Sequence, residues 1–426
     1  MNDNRPRVVV TGLGAVTPLG IGVSAFWEGL VEGRSGIHRL THFDVSEWPV
    51  QIGGYIEAFD PTEYMPAKVA RRTARFVQLA IAAAEEALAD AGLDLSQYDP
   101  TRVGVEIGNA VGDLDTIARE HKVIMEKGPR RVAPYAGPSV LVNMGACQVA
   151  IRYGIKGPAG SPVAACATGL YAVGDAVRRI QRGEVDIVVA GSSEALLTPI
   201  AIAAFWRLQA LSTRNDEPEQ ACRPFDKDRD GTVMSEGAAV LILEREEIAL
   251  ARGARIYGEI VGYGVSTDAY HLVAPDPQGG GAARAMQLAL EEAGVAPEEV
   301  DWISAHGTAT PLNDISETLA IKRVFGEAAY SVPVSSIKSM IGHTLGAAGA
   351  VSLVANFKAI ETGIIPPTIN LDQPDPQCDL DYVPNVARRT PVRIAMSNAF
   401  GFGGQNACIV VRRYEPHRNG DDERAN

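Results

Sequence analysis

The sequence has few cysteines and no recognisable metal or nucleotide motif. Only five cysteines occur among 426 residues, and no two form a C-x-x-C pair. Because their number is odd and their spacing suggests no disulfide framework, we expect reduced thiols and a cytoplasmic protein. His38 and His42 have the spacing of helical zinc ligands but no accompanying carboxylate. The glycines near residue 12 lack the third glycine of a dinucleotide fingerprint, and no Walker sequence occurs. We predict no metal site.

An excess of positive charge and long apolar runs are also missing. Lysine and arginine total 39 against 52 aspartates and glutamates, a formal net charge of −13. Such a chain repels nucleic acid and anionic membranes, so any anionic partner requires a local basic patch. The longest apolar candidate, residues 187–206, is interrupted by polar residues and Pro199, which argues against a membrane span. We interpret Val8–Val10 as a buried first strand rather than part of a secretion signal.

Apolar residues are numerous enough for a substantial core. They make up 46% of the chain, and 426 residues suffice for two or three domains or one large duplicated unit. Strand-like runs alternate with helical stretches, which predicts an α/β fold with mostly buried sheets. The runs are Val103–Gly108, Val185–Gly191, Ala238–Leu243, Val300–Ala305, Val332–Ser336 and Ala407–Val411, and the clearest helices are Arg72–Ala91 and Gly281–Ala293.

Two predicted helices resemble each other in composition. Residues 166–183 and 342–363 are both rich in glycine and alanine, and each segment ends in the pattern Ile-x-x-Gly. Helices lined by small residues are able to lie deep in a protein with their backbones close to a neighbour. The similarity predicts two alike halves, packed about a pseudo-twofold axis and joined near residue 255. Chance likeness between alanine-rich helices is the alternative.

Cys166 is the strongest candidate nucleophile. An apolar entry and a small-residue corner precede it, and an unbroken helical pattern follows, which predicts a thiol at a helix N-terminus. The free N–H groups and the positive dipole end there favour the thiolate, the nucleophilic form of cysteine. The alternative is inert packing, because cysteine is among the most buried residue types.

Two histidines and a lysine follow other predicted strands. His306 ends one strand, and His343 follows a second strand and turn that also carries Lys338. Polar groups at the mouth of a sheet are where α/β folds place catalytic residues, although each histidine alone is more often structural. If two halves pack about a pseudo-dyad, these corners and Cys166 converge on one cavity. The glycines around Phe402 allow unusual backbone conformations that aim N–H groups at a substrate oxygen, or form a plain turn.

With these residues in place, the sequence resembles the β-ketoacyl-acyl carrier protein synthases of the elongating KAS II type, from about Arg7 to Arg412. The resemblance implies a thiolase fold, that is, two similar halves in a five-layered αβαβα arrangement, and a homodimer. It implies an N-terminal half, residues 1–255, with the nucleophile, and a C-terminal half, residues 256–412, with both histidines. Residues 413–426 form a polar tail. The motifs are VVVTGLGAVTPLG, ACATG, RPFDKDRDGTVMSEGAAVLILE, AHGTATPLND, KSMIGHTLGAAGA, PPTINLD and SNAFGFGGQN.

The implied reaction is condensation of malonyl-acyl carrier protein with an acyl group held on Cys166. His306 and His343 would stabilise the enolate formed by decarboxylation, with Lys338 supporting the second histidine. The backbone N–H groups of Cys166 and Phe402 would form the oxyanion hole, and Phe402 would also act as a gate. No cofactor is implied beyond the phosphopantetheine carried by the acyl carrier protein.

The resemblance also assigns binding residues. Thr308 and Thr310 would bind the pantetheine arm, and Val111 and Phe205 would line the acyl pocket, where either is alternatively plain core. Basic residues cluster in two places on this acidic chain, at residues 68–75 and at 130–131. Such patches suit an acidic helical partner, or are simply solvated helix faces. The positions implied to dock the carrier protein are Lys68, Arg71, Arg72, Arg130 and Arg131.

The sequence departs from the family pattern at three places. Ser352 stands where most relatives have glutamate, which puts in doubt the network around Lys338 and the monovalent cation that the resemblance allows there. Gln209 replaces a docking arginine, with Arg207 as a nearby substitute, and residues 107–114 replace a more glycine-rich stretch. These changes suggest an alternative role in polyketide or unusual-lipid assembly. A degradative thiolase and an inactive chain-length partner are disfavoured by His343 and Cys166, respectively.

Overall fold

Most of the apolar strands of the chain pair into one large sheet. The computed structural model describes residues 5–416, and in that range a sheet of 11 strands has the order β11-β10-β14-β15-β9-β1-β8-β7-β5-β6, with β2 beside β1. The strands are β1 Val8–Thr17, β2 Gly20–Ile21, β3 His38–Arg39, β4 Ile52–Gly53, β5 Val103–Gly108, β6 Ala159–Gly160, β7 Ile187–Glu194, β8 Gly237–Arg245, β9 Gly258–Thr267, β10 Trp302–Ser304, β11 Val334–Ser335, β12 Ile364–Ile365, β13 Arg388–Arg389, β14 Ile394–Gly401 and β15 Gln405–Arg412.

Helices cover both faces of this sheet. They are α1 Val23–Glu32, α2 Ala67–Ala70, α3 Arg75–Asp90, α4 Leu114–Lys127, α5 Ala136–Ser139, α6 Met144–Tyr153, α7 Thr168–Gln181, α8 Pro199–Arg207, α9 Pro218–Ala221, α10 Glu246–Ala251, α11 Gly280–Ala293, α12 Pro311–Phe325, α13 Lys338–Ile341 and α14 Ala348–Thr362. None of the helices described is long and apolar enough to cross a membrane.

The sheet consists of two half-sheets with the same topology. In the order β6-β5-β7-β8-β1, the first two pairings are parallel and the next two antiparallel, and the order β11-β10-β14-β15-β9 repeats that pattern. The half-sheets meet where Val9 and Val10 of β1 pair with Glu259 and Gly258 of β9. The first half-sheet therefore comes from residues 8–245 and the second from residues 258–412.

Alternating side chains divide the core into layers. Odd and even residues of a strand point to opposite faces, so each half-sheet contributes to two apolar clusters. One face of the first half-sheet packs on α3, and one face of the second packs on α11 and α12. The remaining faces enclose α7 and α14, whose small and apolar side chains are buried between them. The result is the five-layered αβαβα arrangement expected from the sequence.

The two central helices approach each other closely at glycines. A Cβ atom on Gly169 would lie 2.5 Å from the backbone nitrogen of Ala350, and one on Gly349 would lie 2.6 Å from that of Leu170. Both helices also begin in the same way, because a short 3₁₀ turn precedes each one. These turns start at Ala165 and Leu345 with positive φ values of 48° and 50°.

Some predicted element boundaries were wrong. The helix predicted for residues 72–91 is α3, which begins at Arg75 rather than Arg72 and ends at Asp90. The short helix α2 precedes the predicted range, and residues 71–74 separate it from α3. Strand β11 has two residues rather than five because it forms the sheet edge and pairs only with β10. In the predicted polar tail, residues 413–416 have no helix or strand, and residues 417–426 lie outside the described residues.

We predict that Gly349→Ala destabilises the fold. The added methyl group would meet backbone atoms of α7, which are unable to move without displacing the helix, so we expect a loss of about 1–3 kcal/mol in the free energy of unfolding. Denaturant unfolding followed by circular dichroism measures this loss. Gly137→Ala is the control, because no atom lies within 4 Å of the Cβ position there. Equal stability of both variants would contradict the close contact.

Candidate active site

Cys166 lies in the 3₁₀ turn that leads into α7. As the sequence predicted, the turn Ala165–Ala167 runs directly into the first residues of this helix. The preceding residue, Ala165, has a positive φ of 48°, an unusual conformation for a residue other than glycine. The Cys166 side chain is 7% exposed and contacts an apolar cluster that includes Leu345. The turn therefore presents the thiol at the end of an otherwise closed core.

The two predicted histidines lie beside each other. His306 follows β10, His343 precedes the 3₁₀ turn before α14, and their ring centroids are 5.4 Å apart in an edge-to-face arrangement. The two rings are nearly completely buried. The structure thus brings together residues that are 37 positions apart in sequence, with Cys166 from the opposite half on the same cavity.

One cavity joins most of the predicted site residues. The predicted residues that line it are Cys166, Phe205, His306, Thr308, Thr310, His343 and Phe402. Further lining residues, which the sequence did not single out, are Ala210, Thr232, Asp268, Val273, Pro275, Asn313, Phe400, Gly401 and Asn406.

Burial changes the acid–base chemistry of the nucleophile. It raises the pKa of the Cys166 thiol to about 11, although the positive charge of Lys338 and the backbone N–H groups of Phe402 and Cys166 act in the opposite direction. The expectation of a resting thiolate is therefore wrong for the substrate-free protein. Loss of solvation outweighs the helix N-terminus, so the proton has to leave as the sulfur attacks.

Burial also keeps both imidazoles neutral. Desolvation, together with repulsion from Lys338, lowers the pKa of His306 and of His343 well below the usual value of 6.5. The His343 Nδ1 atom accepts a hydrogen bond from the backbone nitrogen of Leu345 at 3.2 Å, which leaves the proton on Nε2. His343 therefore presents an N–H donor without carrying a charge.

Glu317 fixes the other histidine through its backbone. Its two carboxylate oxygens accept hydrogen bonds from the backbone nitrogens of His306 and Gly307, each at 2.8 Å. Asn398 also donates to this carboxylate, at 3.2 Å. The negative charge of Glu317 offsets part of the desolvation that lowers the pKa of buried Lys338. One carboxylate thus orients His306 and supports the ammonium group.

The glycine-rich loop closes over the thiol. The backbone N–H of Phe402 lowers the pKa of the Cys166 thiol, and the Phe402 ring stacks on Phe205 with centroids 5.8 Å apart. Gly403 and Gly404 have positive φ values of 83° and 73°, which favour glycine. The loop is tied to the segment that follows β9, because the backbone nitrogen of Asp268 donates to the Gly404 oxygen at 2.8 Å.

Comparison with known proteins assigns the family. The N-terminal domain model of β-ketoacyl synthases matches residues 5–249, and the C-terminal domain model matches residues 257–372. The chain belongs to the β-ketoacyl synthase family. It is thus a condensing enzyme of the acyltransferase type.

Curated relatives match nearly the whole synthase. Proteins named 3-oxoacyl-[acyl-carrier-protein] synthase 2 from Synechocystis and Staphylococcus aureus are 48% and 47% identical, over 97% of this chain and 100% of theirs. A β-ketoacyl synthase structure from Burkholderia phymatum is 38% identical with a TM-score of 0.90, covering 96% of this chain and 100% of that one. A type II polyketide ketosynthase, in complex with its acyl carrier protein and bound to a hexaketide, is also 38% identical, with the same coverage and a TM-score of 0.89. The synthase has the thiolase fold.

The predicted substrate-binding residues occupy different surroundings. Thr308 and Thr310 lie on the cavity wall with their hydroxyl groups 2.9 Å apart, and buried Arg229 holds their loop by donating to the Thr310 and Pro311 backbone oxygens. Val111, in contrast, does not line the cavity of this single chain. It lies in the loop after β5 and is 38% exposed.

The predicted docking residues are exposed, and two of them line one cleft. Arg71 and Arg72 line this cleft, and the Arg72 guanidinium lies 4.7 Å from the ring centre of Tyr135. Arg130 and Arg131 are exposed and precede Tyr135 in the sequence by five and four residues. Lys68 is exposed on α2. Arg75 differs from its neighbours, because it forms a two-point ion pair with buried Glu236. It is therefore unable to contribute to a free basic surface.

The departures at Ser352 and Gln209 leave the cavity residues in place. Ser352 is buried in α14 and offers one neutral oxygen where a carboxylate was expected, while Glu317 supplies the negative charge near Lys338. Residues 5–416 contain no group of three or more histidine, cysteine or acidic side chains suited to a metal ion. Arg207 ends α8 and Gln209 follows this helix, and both are exposed.

Sequence reasoning missed three supporting residues: Glu194, Asp268 and Glu317. Each carboxylate accepts hydrogen bonds from groups distant in the chain, as when Asn406 donates to Asp268 at 2.7 Å. Polar residues at the end of an apolar strand, as in the Ser-Ser-Glu that ends β7, are a signal that points to Glu194. Glu317 lies in a helix with no comparable pattern.

We predict that Lys338→Met makes Cys166 less reactive at a given pH. Removing the ammonium charge raises the pKa of the thiol still further, so the rate of alkylation by iodoacetamide should rise only at higher pH than in the unchanged synthase. Mass spectrometry identifies the labelled cysteine, and Cys166→Ala supplies the background from the other four. A profile that shifts to lower pH would contradict the assigned role of Lys338.

Proposed function

We propose that this synthase elongates an acyl chain carried on acyl carrier protein. In the first half-reaction, the Cys166 sulfur attacks the acyl thioester, a sulfur–carbon bond forms and the bond to pantetheine breaks. The thiol proton leaves with the departing pantetheine sulfur, which balances the step. This account suits a thiol that is protonated at rest, because no free thiolate is required beforehand.

The second half-reaction starts with malonyl-acyl carrier protein. Loss of CO₂ leaves an enolate, and the N–H groups of His306 and His343 stabilise its oxygen. Neutral imidazoles suit this task because they donate a hydrogen bond without giving up a proton to the carbanion. Decarboxylation itself supplies the carbanion, so no general base is needed.

The carbon–carbon bond then forms at the acyl-cysteine. The carbanion attacks the Cys166 thioester carbonyl, and the resulting oxyanion rests on the backbone N–H groups of Cys166 and Phe402. Loss of one such donor typically costs about 2.7–4 kcal/mol of barrier. Collapse of this intermediate releases the 3-oxoacyl product on its carrier and frees the Cys166 sulfur, which regains a proton from solvent.

The observation that carries this proposal is the shared cavity of one thiol and two neutral imidazoles. The backbone N–H groups of Phe402 and Cys166, which we propose as the oxyanion hole, both lower the pKa of the Cys166 thiol, which supports this assignment. A degradative thiolase would require a second cysteine as base, whereas His343 shares the cavity with Cys166 here. No step uses a cofactor or a cation, in keeping with the neutral Ser352.

We infer that the carrier docks near the arginine-lined cleft. The exposed Lys68, Arg71, Arg72, Arg130 and Arg131 suit an acidic partner, and one polyketide relative is known in complex with its acyl carrier protein. Helix α8 links this cleft to the catalytic cavity, because its first residue lines the cleft and Phe205 lines the cavity. We further propose a cytoplasmic location, supported by five free cysteines.

We also propose that two copies pair through the open edge at β6. This strand ends the sheet and pairs only with β5, so its outer backbone groups are available to a neighbouring strand. Large apolar side chains near this edge are exposed in the single chain, which indicates a surface that a second subunit covers. They are Val111, Leu141, Ile151 and Val163.

A second candidate is a ketosynthase of polyketide or unusual-lipid assembly. Two structures titled as type II polyketide or ketosynthase/chain length factor systems are 38% identical with TM-scores of 0.89 and 0.90. The relatives named 3-oxoacyl-[acyl-carrier-protein] synthase 2 are closer, at 47–48% identity, and favour fatty-acid elongation. A panel of saturated and polyketide acyl chains on carrier protein, read by mass spectrometry, separates the two.

We predict that Cys166→Ala abolishes acyl-enzyme formation. The added mass of the acyl group should appear on the unchanged synthase and be absent from the variant, because no other thiol lies on the cavity. Intact-protein mass spectrometry after incubation with acyl-acyl carrier protein gives the result directly. A variant that folds normally and still gains the acyl mass would refute the assigned nucleophile.

We predict that Arg71→Glu weakens use of the carrier-bound substrate. Reversing a charge in the docking patch should lower kcat/KM for acyl-acyl carrier protein roughly tenfold, mainly through the association rate. Acyl-pantetheine, which lacks the carrier, should react as with the unchanged synthase. Arg284→Glu is a matched control on the exposed surface of α11. Equal losses with both substrates would argue against docking at Arg71.

A further inference from the structure

Glu194 is a buried carboxyl group that the proposed mechanism does not use. It ends β7, is fully buried and has no partner among the ion pairs of residues 5–416. Its oxygens instead accept hydrogen bonds from the Asn109 side-chain nitrogen at 2.8 Å and the Ala110 backbone nitrogen at 2.9 Å. Gly346 packs against the same carboxyl group, and its backbone N–H lowers the pKa of Glu194. A buried acid without a cation costs stability compared with an apolar residue, which calls for a functional reason.

On one side, the hydrogen bonds lead to the loop after β5. The Asn109 oxygen accepts hydrogen bonds from the backbone nitrogens of Val111 at 3.2 Å and Gly112 at 2.5 Å, so Asn109 shapes this turn. The nitrogen of the same amide donates to Glu194 and to the backbone oxygen of Ser193, each at 2.8 Å. Glu194 therefore helps to fix the position of Asn109 and hence of Val111. The resemblance implies that Val111 lines the acyl pocket, although it is exposed in this single chain.

On its other side, the Glu194 carboxyl group contacts the turn that orients His343. Gly346 lies next to Leu345, whose backbone nitrogen donates to His343 Nδ1. The fit is tight, since a Cβ atom on Gly346 would lie 2.5 Å from a Glu194 oxygen and 2.9 Å from the Ala110 nitrogen. A single carboxyl group therefore joins the Val111 loop to the His343 turn.

The pseudo-twofold symmetry explains how Glu194 reaches this place. In the second half, β14 ends at Gly401, which packs against the turn of Cys166 before α7. In the first half, the equivalent strand β7 ends at Glu194, which packs against the equivalent turn before α14. Gly346 thus stands where the other half has its nucleophile, and Glu194 stands where the other half has its glycine loop.

We propose that Glu194 is a positioning residue that sets the acyl-pocket loop and the His343 turn in one fixed relation. Acyl-chain selection and the orientation of the second histidine then depend on the same carboxyl group. The part of this inference that concerns chain selection rests on the proposed function, whereas the link to Cys166 and His343 does not.

The charge of Glu194 gives a second, independent readout. Burial raises the pKa of the Glu194 carboxyl to about 8, and its negative charge raises the pKa of the Cys166 thiol. Lys338 acts on that thiol in the opposite direction, and His306 and His343 face it as neutral groups. Removing the carboxylate charge should therefore lower the pKa of Cys166.

The test compares Glu194→Gln with Glu244→Gln. Glu244 is also fully buried, but its partner in the strand pairing is Ile187, at the opposite end of β7 from Glu194. At roughly 3.3 Å per residue, Ile187 lies about 23 Å from Glu194. In Glu194→Gln, the alkylation profile of Cys166 should shift to lower pH. Loading of the preferred acyl chain relative to shorter and longer ones should change about tenfold, because the loop loses its fixed position. Glu244→Gln should keep both profiles.

Two further variants separate charge from position. Glu194→Asp keeps the charge but withdraws the carboxylate, so the chain-length profile should change while the alkylation profile stays near that of the unchanged synthase. Asn109→Ala releases the Val111 loop and should change the chain-length profile but not the alkylation profile. This variant also tests the proposal if Glu194→Gln does not fold. Unchanged profiles in folded Glu194→Gln, with only a lower melting temperature, would overturn the proposal. Failure of the unchanged synthase to load any chain would instead refute the proposed function.

Discussion

The site depends on a backbone contact between two helices of different halves. Helices α7 and α14 meet at Gly169 and Gly349, where even a methyl group would meet backbone atoms at 2.5–2.6 Å. Only this approach lets the turns before the two helices touch, so that Cys166 and the His343 turn share one apolar cluster with Leu345. The duplication of the fold therefore creates the cavity, and neither half contains it alone.

The burial of this contact determines the protonation states of the cysteine and the two histidines. Far from solvent, charges are costly, so the pKa of the thiol is raised and those of both imidazoles are lowered. Burial causes both pKa shifts, but they have different consequences for catalysis. A neutral histidine is a stable hydrogen-bond donor for an enolate, whereas a protonated thiol requires that proton loss accompany attack. The negative charge of Glu317 opposes the desolvation that lowers the pKa of Lys338.

The fold and the positions of the catalytic residues were largely predictable, because both follow from local sequence patterns. Apolar runs and small-residue helices indicated buried strands and two similar halves, and the corners carrying Cys166, His306 and His343 follow from strand and helix ends. The ionisation state of Cys166 was not predictable, since desolvation depends on packing from the whole fold. Glu194 and Glu317 act through hydrogen bonds to distant backbone nitrogens, and no local pattern reveals such partners. The exposure of Val111 depends on whether a second subunit covers it.

The neutrality of the two histidines is the most direct test of this account. Nitrogen-15 shifts of the imidazole rings in the intact synthase, assigned with His306→Ala and His343→Ala, report both charge and tautomer. Both rings should stay neutral well below pH 6.5, the usual midpoint for histidine, and His343 should carry its proton on Nε2. A ring that titrates near pH 6.5, or that is an imidazolium at neutral pH, would contradict the buried pair of donors on which the mechanism depends.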